Sequence, residues 1–175
     1  MAWITKNSAG AKISTRGEPY LTPKMIEHYR SVIMPRYATT MGALMPILHD
    51  VQHEYGFIPY QAMIEIARVL SIKPADVLDT ASFYEEYRLE PVGQCVIGVC
   101  QSIACEVCGH QMLVDHLREK LGIEPHETTD DGKFTLLTLE CLGSCDTAPV
   151  ALVGDELHEG LTIEKLDEII DSQRG

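Results

Sequence analysis

The sequence predicts an α+β fold in which a small helical bundle is followed by an α/β module. Two observations indicate this division. Between residues 21 and 90, apolar residues recur at the spacing of short amphipathic helices. From residue 91 onward, short apolar runs bounded by turn residues alternate with helical stripes, after a Pro-Val-Gly segment typical of a hinge. We therefore expect a helical bundle over 21–90 and a second domain over 91–175. Residues 1–20 lack periodicity, and we expect a mobile tail there.

Four short helices are predicted in the bundle. Thr22 and Pro23 supply an N-cap and a first-turn proline, which mark the start of the first helix. The apolar stripes of the four helices are Ile26, Tyr29 and Ile33; Leu44, Ile47, Leu48, Val51 and Tyr55; Met63, Ile66, Ala67 and Leu70; and Val77, Leu78 and Ala81. Gly56 is expected to end the second helix, while Pro46 indicates either a start near Ala43 or a kink.

Three aromatic residues, Phe83, Tyr84 and Tyr87, follow the fourth helix. Aromatic side chains in such a position more often pack within a core than bind another protein. We therefore expect packing for them, with a partner surface as the alternative.

The second domain is predicted to have the order βαβββα. The predicted strands are Cys95–Val99, Phe134–Leu139, Val150–Val153 and a short fourth strand after a Gly154-Asp155 turn. The predicted helices have the stripes Val107, Val114, Leu117 and Leu121, ending at Gly122, and Ile163, Leu166, Ile169 and Ile170, capped by Thr162. A right-handed crossover is expected between the first two strands. The pattern alone allows several α/β sandwiches.

Four of the six cysteines form two pairs. Cys100 and Cys105 are spaced C-x4-C, Cys141 and Cys145 are spaced C-x3-C, and about 35 residues separate the pairs. That length accommodates a helix and a strand, which return the second loop to the side of the first. Four thiolates at the rims of two neighbouring loops suit a [2Fe–2S] cluster. Zinc is the alternative, but its sites more often pair cysteines as C-x2-C.

The residues around these cysteines resemble those of a known family. The segments VCxxxxC, ECLGSCDTAPV and ASFY are similar to those of the 24 kDa-type, or E-type, [2Fe–2S] subunit of respiratory complex I, and the resemblance runs from about Met34 to about Ile170. It implies a thioredoxin-like [2Fe–2S] ferredoxin domain over 91–175. The cluster ligands that it implies are Cys100, Cys105, Cys141 and Cys145.

The resemblance also implies a role and a partner. The role is that of an electron-transfer subunit of an NADH:quinone oxidoreductase, which exchanges single electrons with the FMN of a larger flavoprotein subunit. We expect FMN and NADH on that partner, because this sequence carries neither a GxGxxG nor a Walker A motif. The isolated chain is then an electron carrier without a substrate site. The alternatives are a soluble NAD-linked hydrogenase or formate dehydrogenase as the parent complex, and a free-standing thioredoxin-like ferredoxin.

Composition bears on location and partners. No apolar run approaches the roughly 18 residues of a membrane span, and the first ten residues lack the apolar core of a signal peptide. We therefore expect a cytoplasmic protein that is peripheral to the inner membrane through partner subunits. A net charge of −12 argues against nucleic acid or an anionic membrane as a partner, and it suits docking on a basic protein surface.

The chemistry expected at the site depends on two local features. Cys105 is expected at or just before the start of the following helix, where free backbone N–H groups and the helix dipole favour a thiolate. Gly143 allows the second loop to turn tightly, with its amides directed at sulfur.

Two cysteines remain. Cys105 and Cys108 form a CxxC typical of thioredoxin-like redox sites, and with Cys100 they match the opening of a plant-type ferredoxin motif. Neither alternative accounts for the second pair, so we expect that Cys108 is not a ligand. Cys95 lies within a predicted strand and is expected to be a small buried apolar residue.

Overall fold

The computed structural model describes residues 15–173. The chain divides into two compact units, one ending at Pro91 and the other beginning at Val92. Most of the segment predicted as a mobile tail, residues 1–14, lies outside the described residues. In its last part the guanidinium of Arg16 stacks 3.6 Å from the ring centroid of Tyr20, and the Arg16 N–H donates to Gln61 at 2.8 Å.

Helices build the first unit. They are α1 (Pro23–His28), α2 (Leu44–Tyr55), α3 (Tyr60–Leu70) and α4 (Pro74–Phe83). A π-helical turn, Tyr29–Ile33, and two 3₁₀ turns, Met34–Arg36 and Thr40–Ala43, connect α1 to α2. The Thr22 hydroxyl accepts a hydrogen bond from the Met25 N–H at 3.2 Å, as expected of an N-cap. Pro46 lies in the first turn of α2, where its missing N–H costs no intrahelical bond, so α2 starts after Ala43.

Most of the core of this unit comes from the predicted apolar stripes, and Ile58, outside them, joins it. Its largest fully buried side chains are Tyr29, Leu44, Ile47, Leu48, Ile58, Ile66 and Leu70. The three aromatic residues after the bundle divide into two kinds. Tyr87 is buried and its hydroxyl donates to the Met45 carbonyl at 3.1 Å, whereas Phe83 is 80% exposed and Tyr84 is 43% exposed. The expected packing therefore holds for Tyr87 and is wrong for Phe83.

The second unit is a four-stranded sheet with three helices. The strands are β1 (Cys95–Cys100), β2 (Phe134–Leu139), β3 (Ala151–Val153) and β4 (Glu156–His158). The helices are α5 (Ile103–Val107), α6 (His110–Leu121) and α7 (Ile163–Ser172). The strand order is β2-β1-β3-β4, with β1 parallel to β2 and antiparallel to β3. Because parallel neighbours end at the same edge of a sheet, the segments that follow β1 and β2 both start from that edge.

The single helix predicted after Cys105 is instead two helices. Gly109 lies between them with φ +93°, a left-handed conformation that breaks helical continuity and that glycine adopts without strain. Because of this break, the side chains of α5 do not continue the buried apolar face of α6. Val107, predicted to lie in the core, is 82% exposed, and the buried stripe begins at Leu113.

Two glycines mark places where the backbone is closely approached. A Cβ at Gly98, in the middle of β1, would lie 2.2 Å from Cδ1 of Leu139, the last residue of β2. A Cβ at Gly93 would lie 2.8 Å from the backbone of Phe134. The Gly93 N–H also donates to the Thr135 hydroxyl at 2.7 Å, so the segment before β1 lies directly on the start of β2.

Candidate metal centre

The first cysteine pair lies where β1 passes into α5. Cys100 is the last residue of β1, and its N–H donates to the Val150 carbonyl at 3.1 Å. Cys105 is the third residue of α5, one turn past the N-cap Ser102. Both are 1% exposed and form a small apolar cluster with Val150. This pair is therefore fixed by a strand end, a helix and a dry environment.

The second pair lies in the loop that follows β2. Cys141 and Cys145 are both exposed, and their sulfur atoms are 3.5 Å apart. Gly143, between them, has φ +85°, which allows the tight turn that the sequence predicted. A 3₁₀ turn, Cys145–Thr147, follows and ends the loop.

The two pairs come together. The thiols of Cys100 and Cys105 are hydrogen-bond partners, and both lie close enough to Cys145 for their charges to interact. The four cysteines singled out from spacing thus form one group of sulfur atoms, shared between the ends of β1 and β2. The predicted return of the second loop beside the first is what brings them together.

The other two cysteines lie differently. Cys95 starts β1 and is separated from Cys100 by the length of the strand, about 17 Å at 3.3 Å per residue. It is partly buried against the core of the sheet, and this burial raises the pKa of its thiol. Cys108 caps the C-terminus of α5 and is exposed.

The electrostatics of the site differ between the two pairs. Cys105 lies in the first turn of α5, close to the expected helix N-terminus, but burial raises the pKa of its thiol and so outweighs the expected stabilisation of the thiolate. The pKa of Cys141 is lowered, first by the hydrogen bond from the Gly143 N–H and then by the Cys145 thiol and the Ser102 hydroxyl. The Cys141 hydrogen bond raises the pKa of Cys145. Cys141 is therefore the thiol that ionises first in the exposed pair.

The donor set fits a two-iron cluster. The thiols are arranged as two pairs, and a [2Fe–2S] cluster takes two protein ligands on each of its two irons. The apolar contacts around the inner pair and the amide directed at Cys141 also suit an anionic, partly buried group.

Two neighbouring residues were missed by sequence reasoning. Ser102 lies three residues before Cys105 and reaches the Cys141 thiol with its hydroxyl. Glu159 accepts hydrogen bonds from the hydroxyls of Ser144 and Thr147, which flank Cys145. Neither belongs to a recognisable motif, and both reach the site through the folding of the sheet, so no sequence signal identifies them.

Comparison with known proteins places the chain in a family. The model of the thioredoxin-like [2Fe–2S] ferredoxin family matches residues 31–174. The chain belongs to this family. The family resemblance, the α+β fold class and the [2Fe–2S] cofactor predicted from the sequence are confirmed with it.

The ferredoxin has relatives among named NADH-quinone oxidoreductase subunits. It is 40% identical over 139 residues to the E-type subunit named E 2 of Rhizobium meliloti, a match that covers 79% of this chain and 83% of the relative. It is 42% identical over 130 residues to subunit 2 of the Thermus thermophilus oxidoreductase, covering 74% and 72%. It is 38% identical over 138 residues to the E-type subunit of Escherichia coli, covering 79% and 83%.

The ferredoxin also resembles part of a larger enzyme. A crystal structure of an NAD⁺-reducing [NiFe]-hydrogenase in the air-oxidized state matches with a TM-score of 0.66 and 25% sequence identity. The match covers 75% of this chain but only 22% of that chain. The H₂-reduced state of such a hydrogenase matches with a TM-score of 0.68 at 25% identity, covering 79% of this chain and 23% of that chain.

Proposed function

We propose that this ferredoxin is the electron-transfer subunit of an NADH:quinone oxidoreductase, with Cys100, Cys105, Cys141 and Cys145 as the ligands of one [2Fe–2S] cluster. The observation that carries the proposal is the convergence of these four thiols at the ends of two parallel strands. The names of relatives that are about 40% identical over most of the chain supply the parent complex. The subunit is then part of an oxidoreductase and an electron carrier by itself.

Each part of the site has a distinct task. The bound cluster supplies one-electron oxidation and reduction. Cys100 and Cys105 bind it from the inside and, with Val150, exclude water from that side. Cys141 and Cys145 bind it from the solvent side, where the Gly143 amide stabilises negative charge on sulfur. Hydrogen bonds, burial and net charge of this kind set the potential of such clusters within a range of about −700 to +450 mV.

The proposed partner is a larger flavoprotein subunit that holds FMN and the NADH site. Ile103 and Val107 support such docking, because they are 79% and 82% exposed and lie four residues apart on α5, the helix that carries Cys105. Large apolar side chains at this exposure are costly in water and are typical of a protein interface. We place the assembled subunit in the cytoplasm, peripheral to the inner membrane through its partners. Within residues 15–173, none of the helices combines the length and apolar character of a membrane span.

A second candidate function is supported by a specific observation. The structural match to an NAD⁺-reducing [NiFe]-hydrogenase favours the equivalent subunit of a soluble NAD-linked enzyme. The two candidates share the same cluster and the same electron exchange with a flavin. They differ in the second substrate of the parent complex, quinone in one case and hydrogen in the other.

The proposed function is tested on the isolated chain and on the complex. The chain purified without oxygen is expected to be brown, with about two irons and two sulfides, and unable to reduce a dye with NADH. A colourless chain with one zinc would overturn the proposed [2Fe–2S] cluster. Adding the flavoprotein subunit is expected to restore NADH:dye turnover at about 1–1000 per second. A tagged chain isolated with its native complex then separates the two candidates by its activity with quinone or with hydrogen.

A further inference from the structure

A carboxylate on the strand side of the site holds the outer cysteine loop. Glu159 follows β4, and one oxygen of its carboxylate, Oε1, accepts hydrogen bonds from two hydroxyls. One belongs to Ser144, the residue before Cys145, and the other to Thr147, two residues after it, at 2.7 Å. The Thr147 hydroxyl also lies 3.2 Å from the Ser144 carbonyl. Cys145 is thus bracketed by two residues that share one acceptor.

The segment that carries Glu159 is itself held in place. The Gly160 N–H donates to the Thr147 carbonyl at 2.7 Å, and the Leu161 N–H donates to the Pro149 carbonyl at 3.0 Å. Lys165, in the first turn of α7, donates through Nζ to the Gly160 carbonyl at 2.9 Å. These bonds tie the backbone that follows Glu159 to the backbone that follows Cys145, so the carboxylate is held beside the loop.

We propose that Glu159 is a positioning residue that fixes the Cys141–Cys145 loop and lowers the reduction potential of the cluster through its negative charge. The inference rests on the proposed function, since it needs a cluster on these four cysteines. Two physical effects carry it. The two hydroxyl hydrogen bonds restrain the outer ligands, and a fixed anion beside an anionic cluster disfavours the added electron.

The charge of Glu159 is present at neutral pH. Hydrogen bonds from Ser144 and then Thr147 lower the pKa of its carboxyl below the usual range. The two effects are separable by substitution. Glu159→Gln keeps an oxygen that accepts from both hydroxyls but removes the charge, whereas Glu159→Ala removes both. Glu159 is exposed, so neither variant leaves a cavity in the core.

The experiment compares the full chain with its cluster in four forms: wild type, Glu159→Gln, Glu159→Ala and the control Glu156→Gln. Glu156 is an exposed carboxylate on the same hairpin, and it pairs with His158 at 3.9 Å. Redox titration followed by electron paramagnetic resonance measures the potential, and iron release to a chelator measures retention. For Glu159→Gln we expect the iron release and the spectrum of the wild type. We expect its reduction potential to be higher by roughly 28 mV, which for one electron is about a threefold change in the ratio of reduced to oxidised cluster at a given potential. For Glu159→Ala we expect the same upward shift and faster iron release.

The outcomes separate this inference from the proposed function. The control is expected to keep the wild-type potential within error. A wild-type potential in Glu159→Gln, or an equal shift in the control, would overturn the charge effect. Wild-type iron release from Glu159→Ala would overturn the positioning role. A wild-type chain that takes up no iron would instead overturn the proposed function, and this inference with it.

Discussion

At the scale of single residues, Cys108 is the clearest test of the ligand set. It lies three residues past Cys105 but is exposed at the end of α5, while the inner thiols are buried. We expect Cys108→Ser to leave iron content and the electron paramagnetic resonance of the reduced state unchanged, because its sulfur is not needed. Cys145→Ser is expected to lose or visibly alter the cluster. Iron and sulfide analysis with the spectrum measures both.

The two variants serve as controls for each other, since each replaces one exposed thiol by a hydroxyl. The reverse result, loss in Cys108→Ser and retention in Cys145→Ser, would indicate a plant-type ligand set built on C-x4-C-x2-C. The assignment of the second pair as ligands would then have to be withdrawn.

Gly93 carries a second prediction at this scale. A Cβ there would meet the backbone of Lys133 and Phe134 at 2.8–2.9 Å, and backbone does not yield as a side chain does. We expect Gly93→Ala to lower the free energy of unfolding by about 1–3 kcal/mol. Gly17→Ala is the matched control, because nothing lies within 4 Å of its Cβ. Urea denaturation compares them, and equal stability of the two variants would contradict the close approach.

Sequence reasoning works well for residues whose role is local. The caps Thr22 and Thr162 and the turn at Gly143 follow from short-range chemistry, and each is seen in the structure. The burial of Cys105 and the contact of Glu159 with the cysteine loop depend on which strands become neighbours. No local pattern encodes that information, so these features had to come from the fold.

At the scale of elements, α6 and α7 are joined by a small charged group. One oxygen of Asp167 on α7 contacts His116 at 2.7 Å and Lys120 at 2.6 Å, both on α6. These partners, His116 first, lower the pKa of the Asp167 carboxyl in the folded state. A carboxyl whose folded pKa is depressed contributes stability above its unfolded pKa of about 3.9, and the contribution is lost as the pH falls through the folded value.

Asp167→Asn is therefore expected to destabilise the chain most above about pH 4, with the difference from wild type shrinking in more acidic solution. Far-ultraviolet circular dichroism during urea unfolding of the metal-free chain, repeated between about pH 3 and 7, follows this. Glu168→Gln is the control, since Glu168 is an exposed neighbour on α7 and makes no hydrogen bond or ion pair with the described residues. A pH-independent difference for Asp167→Asn would refute the pairing.

The elements themselves were largely predictable. The bounds of β2, the start of α2 and the last helix follow from apolar spacing and caps. The division of the helix after Cys105 was not predicted, because Gly109 inside a helical stripe is compatible with a continuous helix. By its spacing in the sequence, Val107 belongs to the apolar stripe of that helix. In the structure α5 is rotated relative to α6, and Val107 faces solvent.

At the scale of the whole molecule, we expect the flavoprotein subunit to bind at α5. Val107→Asp places a charge in the apolar surface of Ile103 and Val107. Since an unpaired charge is costly to bury in an interface, we expect affinity for the flavoprotein subunit to fall at least about tenfold, with iron content unchanged. Surface plasmon resonance measures the affinity. Ala75→Asp adds the same charge in the exposed first turn of α4, and we expect it to bind as wild type.

The strand order of the second unit could not be predicted from apolar spacing. The sequence predicted the strands, and the family resemblance implied the thioredoxin-like fold. Apolar spacing by itself left several α/β sandwiches open, because it does not say which strands pair. The position of β1 between β2 and β3 decides the site, since it is what brings the loops after β1 and β2 to one edge.

Gly98 leaves room at this edge of the sheet for the side chain of Leu139. Leu139 fills the space that any side chain at position 98 would need, and it stands opposite Cys100 in the register and two residues before Cys141. The same leucine therefore pairs with the end of β1 that carries Cys100 and leads into the loop that carries Cys141. An inorganic cluster has a fixed size, so the two cysteine loops must be correctly spaced when the cluster binds. A side chain at position 98 would displace Leu139, and we expect that displacement to change the spacing of the two cysteine loops.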